Sequence, residues 1–352
     1  LLGHVRDKDP HVRAEVLRAL AVLAEPEHLD ELLSLLVDST FTQDMDLLVD
    51  ATVAVAKRDK SKDPVNTIVN FFPQTRSIPI ARAATIRIMG ELGDSRCVPS
   101  LRNSYKERDR LVKEAAIRAL ANWPSPEVLN DLEYLSRRTP DGTLRTVALR
   151  GYIRLLAEPG QHRNSKIVGR YKKAFRRCTA ADEKRAVIAG LVDLAKPEAL
   201  RVLADLAKKE TDLREDLAKA RAELHKVLLH VSASENTEDL RLAVDGDETT
   251  LWSSARNQEP GMWLQLDFVS DVAVRKITFK IPKDYADSPD KLTVQVLGKK
   301  GTSVDVAAVS APPSNEKVFA LPDVECRSLR ILLTEPRNSP WKINEISFEI
   351  QP

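Results

Sequence analysis

The chain has 352 residues, of which 43% are hydrophobic and 30% charged, with a formal net charge of +2. This length exceeds one compact core and calls for two or three domains or a repeat array, the composition excludes a disordered chain, and no apolar run reaches the ~20 residues that span a bilayer. From residue 229 onward 14 Lys and Arg face 19 Asp and Glu, a net of −5, leaving 40 against 33, a net of +7, before it, so a boundary is expected there.

The first part reads as a helical repeat. The segment "DPHVRAEVLRAL" returns as "PIARAATIRIMG", "RLVKEAAIRAL", "GTLRTVALRGYI" and "DEKRAVIAGLV", with "LLVDATVAVA" as a weak second copy. Arg13, Arg82, Lys113, Arg145 and Arg185 mark equivalent positions, separated by 69, 31, 32 and 40 residues. A recurring unit of about 31 to 40 residues with two amphipathic helices is the signature of an α-solenoid, because neither helix pair can bury its apolar face alone. Second helices follow breaks marked by Pro or Gly, as in "AEPEHLDELLSLL", "PSPEVLNDLEYLS" and "KPEALRVLADLA", where proline at the first turn costs little. About six repeats are expected over residues 1–228, closed by the charged helix "DLREDLAKARAEL". The pattern resembles HEAT repeats of the bacterial kind. In such repeats the arginine joins ion pairs between stacked units, a structural role that Asp9 and Arg13 fit in the first copy. The chain opens at Leu1 inside helical sequence, so it reads as a processed or trimmed piece.

Within the array, "RNSKIVGRYKKAFRR" carries seven basic residues and no acidic one. Lys166, Arg170, Lys173 and Arg177 recur at helical spacing and form one basic face. It reads either as a solvated face neutralised by neighbouring repeats or as a partner surface, with an acidic protein ahead of nucleic acid or membrane, since only Tyr171 and Phe175 offer aromatic stacking.

After His230 the apolar period changes from 3.6 to 2. Alternation in "MWLQLDF", "RKITFKI", "KLTVQVLG", "SLRILLTE" and "NEISFEI", with weaker strands in "SVDVAAVS" and "KVFAL", predicts an antiparallel β-sandwich or jelly roll over residues 229–352. The landmarks "AVDGDETTLWSS", "PGMWLQLDF", "VAVRKITFKI", "LRILLTE" and "WKINEISFEI", in this order, resemble a discoidin-like domain, also known as the coagulation factor five/eight type C domain, whose fold family 32 carbohydrate-binding modules share. The expected fold class is therefore multidomain α plus β, a HEAT-like α-solenoid followed by a discoidin-like jelly roll.

The acidic loop in the first landmark offers hard oxygen donors within a few residues, and Gly246 lets the backbone turn. It is either a plain Asp-Gly turn or a structural Ca²⁺ site. The resemblance implies the latter, with side chains of Asp245, Thr250 and Glu345 and backbone oxygens of Leu242, Asp247, Thr250 and Asn344 as ligands. For Trp252 and Trp263 it implies packing beside that loop rather than sugar stacking. Ligands of such modules bind at loops, here "SSARNQEP", "PKDYADSP" and "EPRNSPW", which offer Arg256, Asn257, Tyr285, Arg337, Asn338 and Trp341; Trp341 reads equally as a core residue.

No phosphate-binding glycine loop, nucleophile elbow, H-E-x-x-H or dinucleotide fingerprint occurs, the six histidines are scattered, and Cys97, Cys178 and Cys326 form neither a metal pattern nor a disulfide framework. No enzymatic activity is expected. Two functions stay open. One is a non-catalytic scaffold, the solenoid gripping a protein partner or a second copy while the calcium-stabilised sandwich makes another protein or glycan contact in a larger assembly. The other is an extracytoplasmic carbohydrate-binding module on a solenoid spacer, accessory to a catalytic domain absent from this chain. The resemblance implies a periplasmic or secreted location.

Overall fold

A computed structural model describes residues 2–38, 42–58, 63–282, 289, 291–298, 303–310, 315–322 and 325–350. The chain divides into two compact units, Leu1–Val187 and Ile188–Pro352.

The first unit is built of helix pairs: α1 (Pro10–Leu23) and α2 (Leu29–Leu36), α3 (Met45–Arg58) and α4 (Pro64–Phe71), α5 (Pro79–Leu92) and α6 (Val98–Ser104), α7 (Arg110–Ala121) and α8 (Leu129–Arg138), α9 (Gly142–Leu156) and α10 (Ile167–Phe175). The unit boundary falls inside α11 (Ala181–Asp193). Aspartates start several of these helices. Asp9, Asp63, Asp109 and Asp141 stand at N-caps and accept first-turn N–H bonds of 2.9 to 3.1 Å, satisfying donors that the helix itself leaves open. Pro10, Pro64 and Pro79 follow at the first turn, where a missing N–H costs nothing. The first helices α1, α3, α5, α7 and α9 stack in succession and bury Leu17, Leu48, Ile86 and Ile117 between them. Glycines let two of these contacts close: a Cβ on Gly90 would come 2.8 Å from that of Ala119, and one on Gly151 would sit 2.6 Å from the Ala121 Cα.

Arg13 and Arg82 pair with acids of the neighbouring repeat, but Arg13 does not take the partner expected for it. Asp9 is spent on capping α1, and Arg13 instead pairs with Asp44, just ahead of α3 in the next repeat, at 2.7 Å with both side chains buried. Arg82 likewise bonds Glu107, ahead of α7, at 2.7 Å, and Arg150 of α9 reaches Glu183 of α11 at 3.1 Å. The acid comes from the following repeat, so no local spacing reveals it. Arg185 bonds within its own helix, to Asp182.

In the second unit, α12 (Pro197–Ala207) and α13 (Arg214–Val227) share a compact body with nine strands: β1 (His230–Ala233), β2 (Trp252–Gln258), β3 (Trp263–Lys280), β4 (Lys291–Leu297), β5 (Ser303–Ser310), β6 (Glu316–Ala320), β7 (Glu325–Leu333), β8 (Arg337–Ile343) and β9 (Glu345–Ile350). All pairings among the described residues are antiparallel. One layer runs β1-β3-β7-β4-β5. The long β3 changes partners along its length: residues up to Asp267 pair with β1 and residues up to Ala273 with β7, while residues from Val274 pair with β9 and from Lys276 with β6. "MWLQLDF" and "RKITFKI", read as two strands, are thus one strand with an irregularity between Asp267 and Val272. The sequence "SSARNQEP" and "EPRNSPW", expected as loops, lie largely in β2 and β8, which pair with each other. Two register shifts break that ladder, which is why no clean alternation marks it. Leu264, Leu266, Ile277, Phe319, Leu329 and Ile331 form the core.

Candidate functional site

The oxygen-rich loop follows a short 3-10 turn at Leu240–Ala243 and is wound by its own side chains. Asp245 Oδ1 accepts from the Asp247 N–H at 2.8 Å, and Asp247 Oδ1 accepts from Thr249 N and Oγ1 at 2.9 and 2.6 Å. The Thr249 bonds hold the exposed Asp247 carboxyl below the usual carboxylate range. Gly246 takes φ +87°, a conformation that side chains disfavour.

Three acceptors then crowd one hydroxyl. Thr250 Oγ1 lies 2.9 Å from Leu242 O, 3.2 Å from Asp245 Oδ1 and 2.8 Å from Asp247 O. A hydroxyl has one hydrogen, so it satisfies one of these contacts and leaves two oxygen pairs with no proton between them. Glu345, at the start of β9 and 5% exposed, accepts from Gly246 N through Oε2 at 3.0 Å. Its Oε1 makes no hydrogen bond and has the Lys226 ammonium 3.4 Å away. Burial raises the Glu345 pKa. Asn344 donates its side-chain amide to Thr250 O at 2.8 Å and its backbone N–H to Lys280 O, bracing the loop from β9's side. Among the described residues no three His, Cys, Asp or Glu side chains converge as metal ligands. Carbonyl, hydroxyl and carboxylate oxygens in this proportion nevertheless match what a hard cation takes, and they would relieve the proton shortage at Thr250.

The tryptophans separate into two roles. Trp252, 1% exposed, donates its indole N–H to Asn236 O at 2.8 Å and meets Trp341 edge to face, with ring centroids 5.8 Å apart. Trp341 is also 1% exposed, which removes it from the ligand-facing residues: a ring closed off on both faces has no surface for a sugar. Trp263 departs from the expected core packing. It is half-buried on β3, and the Arg330 guanidinium lies 4.4 Å from its ring centroid.

The remaining expected ligand residues gather on the β2–β8 ladder. Asn257 stands opposite Pro340 and Gln258 opposite Arg337. Arg256, Asn257 and Asn338 are exposed and Arg337 is half-buried. Arg256 is held by Glu235 at 2.7 Å and more loosely by Glu259 at 3.9 Å. Ala255, at φ +59°, kinks the strand beside them. Tyr285 lies outside the described residues.

The basic stripe on α10 is largely engaged by α8, although Lys166 and Lys173 stay exposed. Arg170 reaches Asn130 Oδ1 at 3.0 Å, Lys173 pairs with Glu133 at 3.2 Å, and Arg177 pairs with Glu133 at 3.6 Å and bonds the Ser136 hydroxyl. Lys166 stands at the N-cap position of α10. Burial pushes the Glu133 pKa up, but Lys173, Arg177 and the Tyr152 hydroxyl outweigh it, leaving this carboxyl lowered. These residues tie α10 to α8, whose Glu133 lies 40 residues upstream of Lys173.

Two concavities lie elsewhere. A groove of about 950 Å³ runs across α3, α5 and α7, lined by Asp46, Asp50, Arg87, Glu91, Glu114 and Arg118 around small residues. In the second unit a pocket of about 260 Å³ lies between α12, α13 and residues 269–270. His225 lines it, 2% exposed, with Nδ1 unbonded and its ring edge-on to Phe268. Burial, with Arg221 beside it, lowers its pKa to about 4. All three cysteines are buried, and burial pushes Cys97 and Cys178 up to about 12 and Cys326 to about 11, so none is a poised thiolate. Among the described residues no helix is long and apolar enough to cross a membrane.

Residues 75–153 match HEAT repeats, and residues 242–331 match the NedA-like, galactose-binding domain. Both are non-catalytic domain types. Solved structures similar to part of the chain include CpGH89CBM32-5 from Clostridium perfringens, in complex with GalNAc-beta-1,3-galactose, at 14% identity over 35% of this chain and 96% of that one, with a TM-score of 0.31. The family 32 CBM from C. perfringens NanJ, in complex with galactose, is 14% identical over 35% and 95%, TM-score 0.32. Chitosan-binding module 1 of a chitosanase/glucanase from Paenibacillus sp. IK-5 is 19% identical over 34% and 92%, TM-score 0.30. No curated protein matches the sequence. The chain thus carries HEAT repeats in its helical part and a discoidin-like, galactose-binding-like domain of the coagulation factor five/eight type C kind in its β part.

Proposed function

We propose that this chain is a non-catalytic binding protein of the periplasm or the extracellular space, whose β-sandwich takes a carbohydrate at the β2–β8 ladder and holds a structural calcium ion in the 242–250 loop. One observation carries the carbohydrate reading: Arg256 and Asn257 of β2 and Arg337 and Asn338 of β8 lie on one two-stranded ladder, in which Gln258 pairs with Arg337 and Asn257 with Pro340, though about eighty residues separate the two strands in sequence. Guanidinium and amide groups on a solvent-facing ladder are the donors that sugar hydroxyls need. The match to a galactose-binding domain supports the same reading.

For calcium, the support is the crowding of Leu242 O, Asp245 Oδ1 and Asp247 O around the single proton of Thr250, with the buried Glu345 beside them. When bound, the ion supplies positive charge that ties loop oxygens to β9. Asp245, Thr250 and Glu345 hold it, Asn344 positions Thr250, and Gly246 provides the turn. The test is a glycan array in millimolar calcium, followed by calorimetry on Asn257→Ala and Arg337→Ala. Absence of any sugar binding, or binding that both variants leave unchanged, refutes the carbohydrate reading.

A second role, as a scaffold for a protein partner, draws on the α3–α5–α7 groove rather than on the α10 stripe. The groove is lined by four acids and two arginines, with Arg87 and Arg118 engaged to Asp46 and Glu114. Purification of the chain from its native source tests this role, and a chain that runs alone counts against it.

A further inference from the structure

The 242–250 loop has a cation at its side, and it comes from the helical segment. Lys226, in the last turn of α13, holds its ammonium 3.4 Å from Glu345 Oε1, the oxygen that has no hydrogen bond. The same nitrogen lies 3.4 Å from where a Cβ on Gly246 would stand, so it hangs over the turn of the loop itself. Glu345 is nearly closed to solvent, while the Lys226 side chain is 30% exposed. A buried carboxylate without a counter-charge is costly, and the last turn of a helix is where a cation is favoured. Lys226 thus meets both conditions for a built-in counter-ion, and Glu345 is the carboxylate that the calcium reading also requires.

We propose that Lys226 is an internal competitor of calcium: it neutralises Glu345 when the ion is absent and yields it when the ion binds, so that the end of α13 sets the affinity of the loop and responds to its occupancy. The proposal rests on the calcium reading. Two like charges cannot share one carboxylate without repulsion, and the half-buried lysine, with a flexible four-carbon stem, is the partner able to leave.

The test uses the full chain, with Ca²⁺ alone as probe, in calorimetry of the wild type and of Lys226→Met. Removal of the competing charge is expected to tighten calcium binding on the order of tenfold, and binding by Lys226→Met alone, with none by the wild type, supports the proposal equally. A second measurement needs no variant: amine labelling of the wild type, read by mass spectrometry, is expected to modify Lys226 several-fold faster with calcium than without, relative to the other lysines. Equal dissociation constants, or a Lys226 labelling rate indifferent to calcium, overturn the competition and leave the calcium site standing. No calcium bound by either chain overturns both.

Discussion

Trp341 distinguishes a packing role from a ligand role at the β2–β8 end of the sandwich. Its side chain is 1% exposed and stacks edge to face on Trp252 at 5.8 Å. Trp341→Ala removes a buried aromatic at about 3–5 kcal/mol, and loss of the ring pair adds about 1 kcal/mol, so the second unit is expected to lose a large share of a typical domain's stability of about 5–15 kcal/mol. Trp341→Phe keeps one ring against Trp252 and is expected to cost only about 1–2 kcal/mol. The assay is urea unfolding followed by near-ultraviolet circular dichroism, with sugar affinity measured on the folded protein. If Trp341 packs the core, Trp341→Phe shifts the midpoint and leaves affinity within about twofold, while Arg337→Ala, at a rim position, does the reverse. A Trp341→Phe chain of unchanged midpoint that has lost sugar binding would refute the reasoning.

Other consequences are equally open to measurement. His225 titrates near 4 in the folded chain against about 6.5 unfolded, so the unfolded state binds more protons between these values. Stability of the second unit is therefore fully present above about pH 6.5 and is lost as pH falls towards 4, by roughly 3 kcal/mol in all; unfolding midpoints of wild type and His225→Gln at pH 7 and pH 5 check this, the variant having a flatter profile. Gly151→Ala drives a methyl into the Ala121 backbone of α7 and is expected to cost about 1–3 kcal/mol, whereas Gly169→Ala on α10 meets nothing within 4 Å and is expected to gain up to about 1 kcal/mol; melting temperatures separate the two. Asp44→Ala leaves the Arg13 guanidinium buried and is expected to destabilise the first unit by about 3 kcal/mol, less than half of which remains in Arg13→Met/Asp44→Ala, as chemical denaturation will report.

What was legible in the chain was whatever depends on local period and local chemistry. The recurring "VRAEVLRAL" pattern announces stacked helices because a 3.6-residue apolar stripe must be covered, and the switch to alternation after His230 announces strands for the same reason. The 242–250 loop stood out through its Asp, Gly and Thr content, and Glu345, 99 residues away, accepts from its Gly246 N–H. Contacts between distant segments left no such mark. The α10 lysines and arginines look like a free surface until Glu133 and Asn130 of α8 are brought against them. "SSARNQ" and "RNSPW" look like loops because a shifted, bulged ladder does not alternate, and Trp341 reads equally as a ligand or a core residue until Trp252 closes over it. Lys226 is one more charge at a helix end in the sequence; only the packing of α13 against the sandwich sets it beside Glu345. Period is a property of neighbours along the chain, whereas register, burial and the sharing of a counter-ion are properties of segments that meet only when the whole chain has folded.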